Sequence, residues 1–198
     1  MMRAVMVRVA PGLMVAALAL PAAAQGSDPI AGRFLVAEPE LGGSPFGETV
    51  ILMLEHDDTG SVGIVVNRPV EELALSDLID DVPAAIADER VALHSGGPVE
   101  ERRLIALHGE DFEGAQTERV ADAIATSPVP ALLEALAEGG GPETYRLYAG
   151  YAGWGPGQLE SEFDRDSWHI IPADARLVFD ESAEGVWGEA MLRRRVDL

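Results

Sequence analysis

Residues 47–69 read GETVILMLEHDDTGSVGIVVNRP, and no other segment constrains the fold as tightly. The apolar runs Val50–Leu54 and Val62–Val66 flank Asp57-Asp58-Thr59-Gly60, whose Asp and Gly residues tolerate the positive φ of a tight turn. An antiparallel hairpin is expected. Neither arm alternates apolar with polar residues as a half-wet strand does, so both arms should be covered on two faces, in the centre of a sheet.

Asn67-Arg68-Pro69 closes the second arm, and Asn67 is the only asparagine in the chain. A guanidinium at a strand end can hold a carboxylate or phosphate through two parallel hydrogen bonds. Equally, Asn67 can satisfy loop backbone at a turn that Pro69 fixes. Both readings stand at this level.

Elsewhere, Ser127-Pro128 offers an N-cap and a first-turn proline. Val129, Leu132, Leu133 and Leu136 fall on one helical face, and Gly139-Gly140-Gly141 ends the run, which predicts a helix over 128–138. Ser182 can cap a second helix with Val186, Trp187, Ala190 and Met191 on one side. Arg193 to Arg195 then complement the negative end of its dipole. Shorter strands are expected at 33–38, 103–108, 143–150 and 175–179, and a short helix at 76–81 before Pro83. Strands and helices mix without a strict βαβ rhythm, which favours α+β or an irregular α/β fold in one domain.

The 198 residues hold 14 basic side chains, all arginine, against 34 acids, for a net charge of −20. Without lysine there is no phosphate-loop lysine and no Schiff base. The absence of cysteine removes thiol chemistry, cysteine-held zinc and disulfides. So acidic a chain is unsuited to nucleic acid, whose binding rests on cationic side chains displacing counterions.

Residues 1–24 carry two arginines and no acid, an apolar stretch Leu13–Leu20, then Pro21 and Ala22-Ala23-Ala24. This is the three-part pattern of a secretory signal peptide, with cleavage expected after Ala24. The apolar core is far shorter than the roughly 20 residues that cross a bilayer, so no permanent membrane anchor is expected. Loss of the two leader arginines takes the net charge from −20 to −22. A periplasmic product follows, or a cytoplasmic one if the start codon is misassigned.

Five blocks carry a resemblance. They are Gly32-Arg33-Phe34-Leu35-Val36-Ala37; Phe46-Gly47-Glu48-Thr49-Val50 with Glu55-His56; Gly63 to Pro69; Gly96-Gly97-Pro98-Val99; and Gly150 to Glu162 with Trp168 after it. In order and spacing, across residues 32–192, the chain resembles the YqgE/AlgH family of bacterial proteins. The resemblance implies a compact α/β fold with a small closed or strongly bent sheet flanked by helices, and no established activity or cofactor. The family name alludes to transcriptional control, and members are usually cytoplasmic, which the leader here opposes.

The remaining motifs have modest readings. Gly153-x-Gly155-x-Gly157 is followed by Glu160 and Glu162, which repel an anion at a helix N-terminus, so it reads as a tight turn around Trp154 rather than a phosphate cradle. Glu160, Glu162, Asp164 and Asp166 could offer oxygens to a hard cation, but the spacing of a calcium loop is missing and a solvated acidic face is favoured. His56, His94, His108 and His169 lack paired-ligand spacing, and His94 and Ser95, if on a strand, point to opposite faces.

The sequence therefore points to a non-catalytic periplasmic binding or accessory protein. A hydrolase acting at the same loops and a cytoplasmic transcriptional regulator are the alternatives. The expected patch comprises Asn67, Arg68, Gly96, Gly97, Pro98, Trp154, Gln158, Glu160 and Glu162, brought together at the sheet edge. Its partner would be a small molecule or a protein, with no cofactor, no metal and no nucleic acid.

Overall fold

A computed structural model describes residues 30–180 and 182–194; the expected leader at 1–24 lies outside the described residues. The hairpin is present as β2 (Val50–Asp57) and β3 (Gly60–Val65), with Asp57 opposite Gly60 and Ile51 opposite Val65. Asp57 holds the turn, since its Oδ1 accepts both the amide (2.7 Å) and the hydroxyl (2.6 Å) of Thr59. Those same bonds favour the ionised carboxylate and lower its pKa.

Outward from the hairpin lie β1 (Arg33–Ala37) and β10 (Trp168–Pro172) on one side. On the other are β9 (Tyr145–Trp154), β6 (Val99–His108), β8 (Ile124–Ser127) and β7 (Glu118–Ala121). The order is β10-β1-β2-β3-β9-β6-β8-β7, with β5 (Arg90–Ser95) and β4 (Pro69–Ala74) branching from β9. Every pairing is antiparallel except β5 with β9.

The branch arises within β9. Its first half runs between β5 and β6, Gly150 holds φ +74° within the strand, and the second half pairs with β3 and, at Tyr151, still with β6. The sheet curls strongly: a side chain at Gly32, just before β1, would meet the carbonyl of Val120 on β7 at 2.6 Å. The coarse α+β expectation stands. Of the two expected sheet forms the strongly bent one is present: the sheet is not small or closed but a ten-stranded half-barrel whose path ends on β10 and β7.

Because Phe34–Ala37 of β1 and Val50–Leu54 of β2 are continuously apolar, each face of the sheet has its own core. Phe34, Val36, Leu52 and Ile64 pack against α4 (Ala175–Phe179) and α5 (Ala183–Arg193) through Leu177, Val178, Val186 and Ala190. Leu35, Ile51, Met53 and Val65 face Trp154, Trp168 and Leu159 of α3 (Gln158–Phe163). A third cluster joins α1 (Leu75–Leu78) and α2 (Val129–Ala137) to β5, β6 and β9 through Leu75, Leu132, Leu133 and Leu147. None of the described helices is long and apolar enough to cross a membrane.

α2 ends as expected, in a Schellman turn: Gly139 sits at φ +76°, its amide bonds Leu136 O and the Gly140 amide bonds Ala135 O. Two local expectations are corrected. Residues 175–179 form a helix, not a strand, because Asp174 caps them by accepting the Arg176 amide at 2.8 Å. Ser127 does not cap α2, for its hydroxyl belongs to a buried network. There Gly114 N–H donates to Thr117 Oγ1, Thr117 meets Ser127 Oγ at 2.7 Å, and Ser127 meets His108 Nε2 at 2.9 Å. His108 Nδ1 bonds Gly109 O, so backbone groups at both ends fix the direction of every hydroxyl.

Candidate functional site

β3 is followed by Val66 and the buried Asn67, which spends its amide on the loop before β2. Its Oδ1 accepts the Val50 amide (2.9 Å) and its Nδ2 donates to Glu48 O (2.9 Å). Glu48 holds φ +56°, a conformation that costs a non-glycine residue energy and needs such bracing. The next side chain, Arg68, is exposed and donates through Nη2 to Gly47 O. Asn67 and Arg68 thus pin the 45–49 loop over the sheet edge.

A second loop approaches from β5. Val65 donates its amide to Gly96 O, and Gly96 donates to Ala149 O. These glycines are required by contact: a Cβ would lie 2.2 Å from Gly150 O at Gly96, and 2.2 Å from the Tyr151 carbonyl carbon at Gly97, where φ is +149°. Between the loops opens a cleft of about 210 Å³. Its polar wall is Thr49, Arg68, Ser95 and Glu101, and its apolar wall is Pro45, Phe46, Val65 and Pro98.

Arg68, Gly97 and Pro98 therefore share one cleft, with Asn67 and Gly96 as its supports. Trp154, Gln158, Glu160 and Glu162 are not in it. They form a separate cluster that touches the 45–49 loop through Phe46, whose ring stacks on Trp154 (6.4 Å) and meets Trp168 edge-on (6.0 Å). There Glu162 Oε2 accepts the indole N–H of both Trp154 (2.9 Å) and Trp168 (2.8 Å), while Oε1 accepts from Gln158 (3.0 Å). Gln158 returns a bond from Gly155 N, and Gly157 opens α3 at φ +72°. Glu160 instead faces His56 at 3.7 Å, and Asp166 lines a different cleft. The alternating acids thus point apart.

Two serine–histidine pairs occur that spacing did not reveal, His56 Nδ1 with Ser61 (2.7 Å) across the hairpin and His108 with Ser127. Ser61, Ser127 and His108 are buried, and neither pair lines either cleft. On β5, His94 packs on the Tyr148 ring at 5.3 Å, and its pKa is lowered to about 4, first by burial and then by the Arg146 charge. Ser95 faces the cleft, so the two diverge as strand geometry requires.

The other cleft, about 620 Å³, lies where α5 meets the end of β1. Glu38 is buried there and bridges Arg194 (2.5 Å) and His169 (3.1 Å), while Arg193 pairs with Asp174 (2.6 Å). Burial lowers the His169 pKa against the opposing pull of Glu38. The described part of the arginine run therefore serves ion pairs that fasten α5; Arg195 lies outside the described residues. The cations of this cleft that touch Glu38 are already neutralised, whereas Arg68 has no carboxylate partner among the described residues.

Comparison with known proteins places these loops in a lineage. An AlgH-like family model matches residues 34–198. The chain belongs to the AlgH-like family. A UPF0301 protein of Methylococcus capsulatus is 37% identical over 172 residues, covering 86% of this chain and 94% of that relative. One from Rhodospirillum rubrum is 37% identical over 171 residues, covering 85% and 88%. The solution structure of the AlgH protein from Pseudomonas aeruginosa superposes with a TM-score of 0.69 at 33% identity, covering 85% of this chain and 92% of that one. A crystal structure of a Corynebacterium diphtheriae protein gives 0.69 at 26% identity, covering 84% and 87%. AlgH-like membership accounts for the half-barrel.

Proposed function

We propose that the protein is a non-catalytic periplasmic binding or accessory protein whose site is the cleft between loops 45–49 and 95–98, with Arg68 receiving a carboxylate on its ligand. The observation that carries this reading is the state of Arg68: exposed at the cleft, oriented by Gly47 O, and unpaired with any carboxylate among the described residues. A guanidinium held at one nitrogen keeps other N–H groups for a planar anion. The leader pattern of residues 1–24 favours export, and among the described residues no histidine lines the cleft to act as base for its Ser95.

The test is a titration of the protein with small carboxylic acids, read by amide NMR shifts at Thr49, Ser95 and Gly97. Arg68→Ala should abolish the shifts while lowering the melting temperature by no more than about 5 °C, the loss of one exposed hydrogen bond to Gly47 O. Equal shifts in both proteins would overturn the reading.

A further inference from the structure

We infer that the ligand of this cleft is a zwitterion of amino-acid type, its carboxylate on Arg68 and its ammonium on Glu101. The inference rests on the binding role proposed for Arg68 and assigns what the other end of the ligand must be.

Three observations converge. First, the cleft presents one cation and one anion: Arg68 from the end of β3 and Glu101 from β6, both exposed and, among the described residues, not paired with each other. Two opposite charges left apart across a small cavity match a molecule that carries the complementary pair. Second, the cavity is about 210 Å³. That is below the roughly 300–1,000 Å³ of sites for drug-sized ligands, so the occupant is compact. The Phe46, Pro45 and Pro98 wall offers an apolar surface for its side chain, and the Ser95 hydroxyl adds a polar contact.

Third, the protein as a whole carries −20. The field of that charge repels a ligand of net negative charge before it reaches Arg68. A zwitterion carries no net charge, so it suffers no such repulsion, and its ammonium gains from Glu101. Arg68 alone would select for any carboxylate; Arg68 with Glu101 selects for one with an amine.

The probes are L-phenylalanine, N-acetyl-L-phenylalanine, which lacks the ammonium, and L-phenylalanine amide, which lacks the carboxylate. Each is titrated against the wild-type protein, Glu101→Gln and Arg68→Ala, followed by amide shifts at Thr49, Ser95 and Gly97. Phenylalanine should bind wild type about tenfold more tightly than either blocked form, a difference of about 1.4 kcal/mol. Glu101→Gln, at an exposed position, should weaken phenylalanine and leave N-acetyl-phenylalanine unchanged. N-acetyl-phenylalanine binding as tightly as phenylalanine, through Arg68, would overturn the zwitterion and leave the carboxylate site standing. No localised shift with any of the three at the limit of solubility would overturn both.

Discussion

Replacing Glu162 by alanine tests the physical account of the Gly153–Glu162 segment. Trp154 is 6% exposed and Trp168 5%, so removal of their shared acceptor leaves two indole N–H groups in the core. An unpaired buried donor costs about 1–3 kcal/mol, while the Gln158 amide is exposed and returns to water at little cost. Glu162→Ala should therefore destabilise the domain by about 2–4 kcal/mol. With about 2–4 °C lost per kcal/mol for a domain of this size, the melting temperature should fall by roughly 10 °C. Glu162→Gln keeps an acceptor oxygen and should cost about 1 kcal/mol. Urea unfolding followed by tryptophan fluorescence suits the question, because two of the three tryptophans flank the carboxylate. A double-mutant cycle with Trp168→Phe should show coupling of about 1 kcal/mol or more. A loss below about 1 kcal/mol for Glu162→Ala, or no coupling, would refute the clamp and return Glu162 to the list of residues free for binding.

Three further outcomes are expected. The His94 pKa is about 4 in the folded state against an ordinary 6.5, so between these values the unfolded chain binds the extra proton. Stability contributed by neutral His94 is full above pH 6.5 and should fall on acidification toward pH 4, by about 3 kcal/mol, with His169 acting in the same sense. Urea unfolding at several pH values checks this, and His94→Gln should flatten the slope. Gly97→Ala would set a methyl 2.2 Å from the Tyr151 carbonyl carbon at φ +149°, so it should cost about 3 kcal/mol or more, measured by chemical unfolding. Finally, protein recovered from the periplasm should have the mass of residues 25–198, and mass spectrometry showing only full-length chain in the cytoplasm would remove the export proposal.

The elements legible in the sequence were those whose signals are local. The β2–β3 hairpin carries its turn in Asp57 to Gly60, and α2 carries its stop in Gly139. At 175–179 the run Ala-Arg-Leu-Val-Phe suits strand or helix, and one side chain outside it, Asp174, decides. β5 and β10 escaped because they are short and are stabilised by partners distant in sequence, as when Phe34 pairs with Ile171, and β4, β7 and β8 because four to six residues of mixed polarity carry no clear period even where, as in β7–β8, the pairing is local. The cleft was half legible. Arg68, Gly97 and Pro98 announce themselves as loop chemistry at strand ends, while Glu101 sits in the charged run Glu100–Arg103 with nothing to distinguish it. The tryptophan segment resembled a site because Gly, Gln and Glu are also what two buried indoles need from their surroundings.

The pairing of β1 with β10 bears on how the protein comes into being. β1 is among the first strands to leave a ribosome or a translocon, yet along its outer side it pairs with residues 168–172, almost the last described part of the chain. Its edge therefore stays open through nearly the whole of synthesis. Contacts of such long sequence separation delay closure, because the loop entropy must be met before any pairing rewards it. Under the export proposed from the pattern of residues 1–24 that delay is useful, since a polypeptide threading a membrane channel must remain unfolded until its far end has followed. The half-barrel is so connected that β1 gains its outer partner only once residues 168–172 are available.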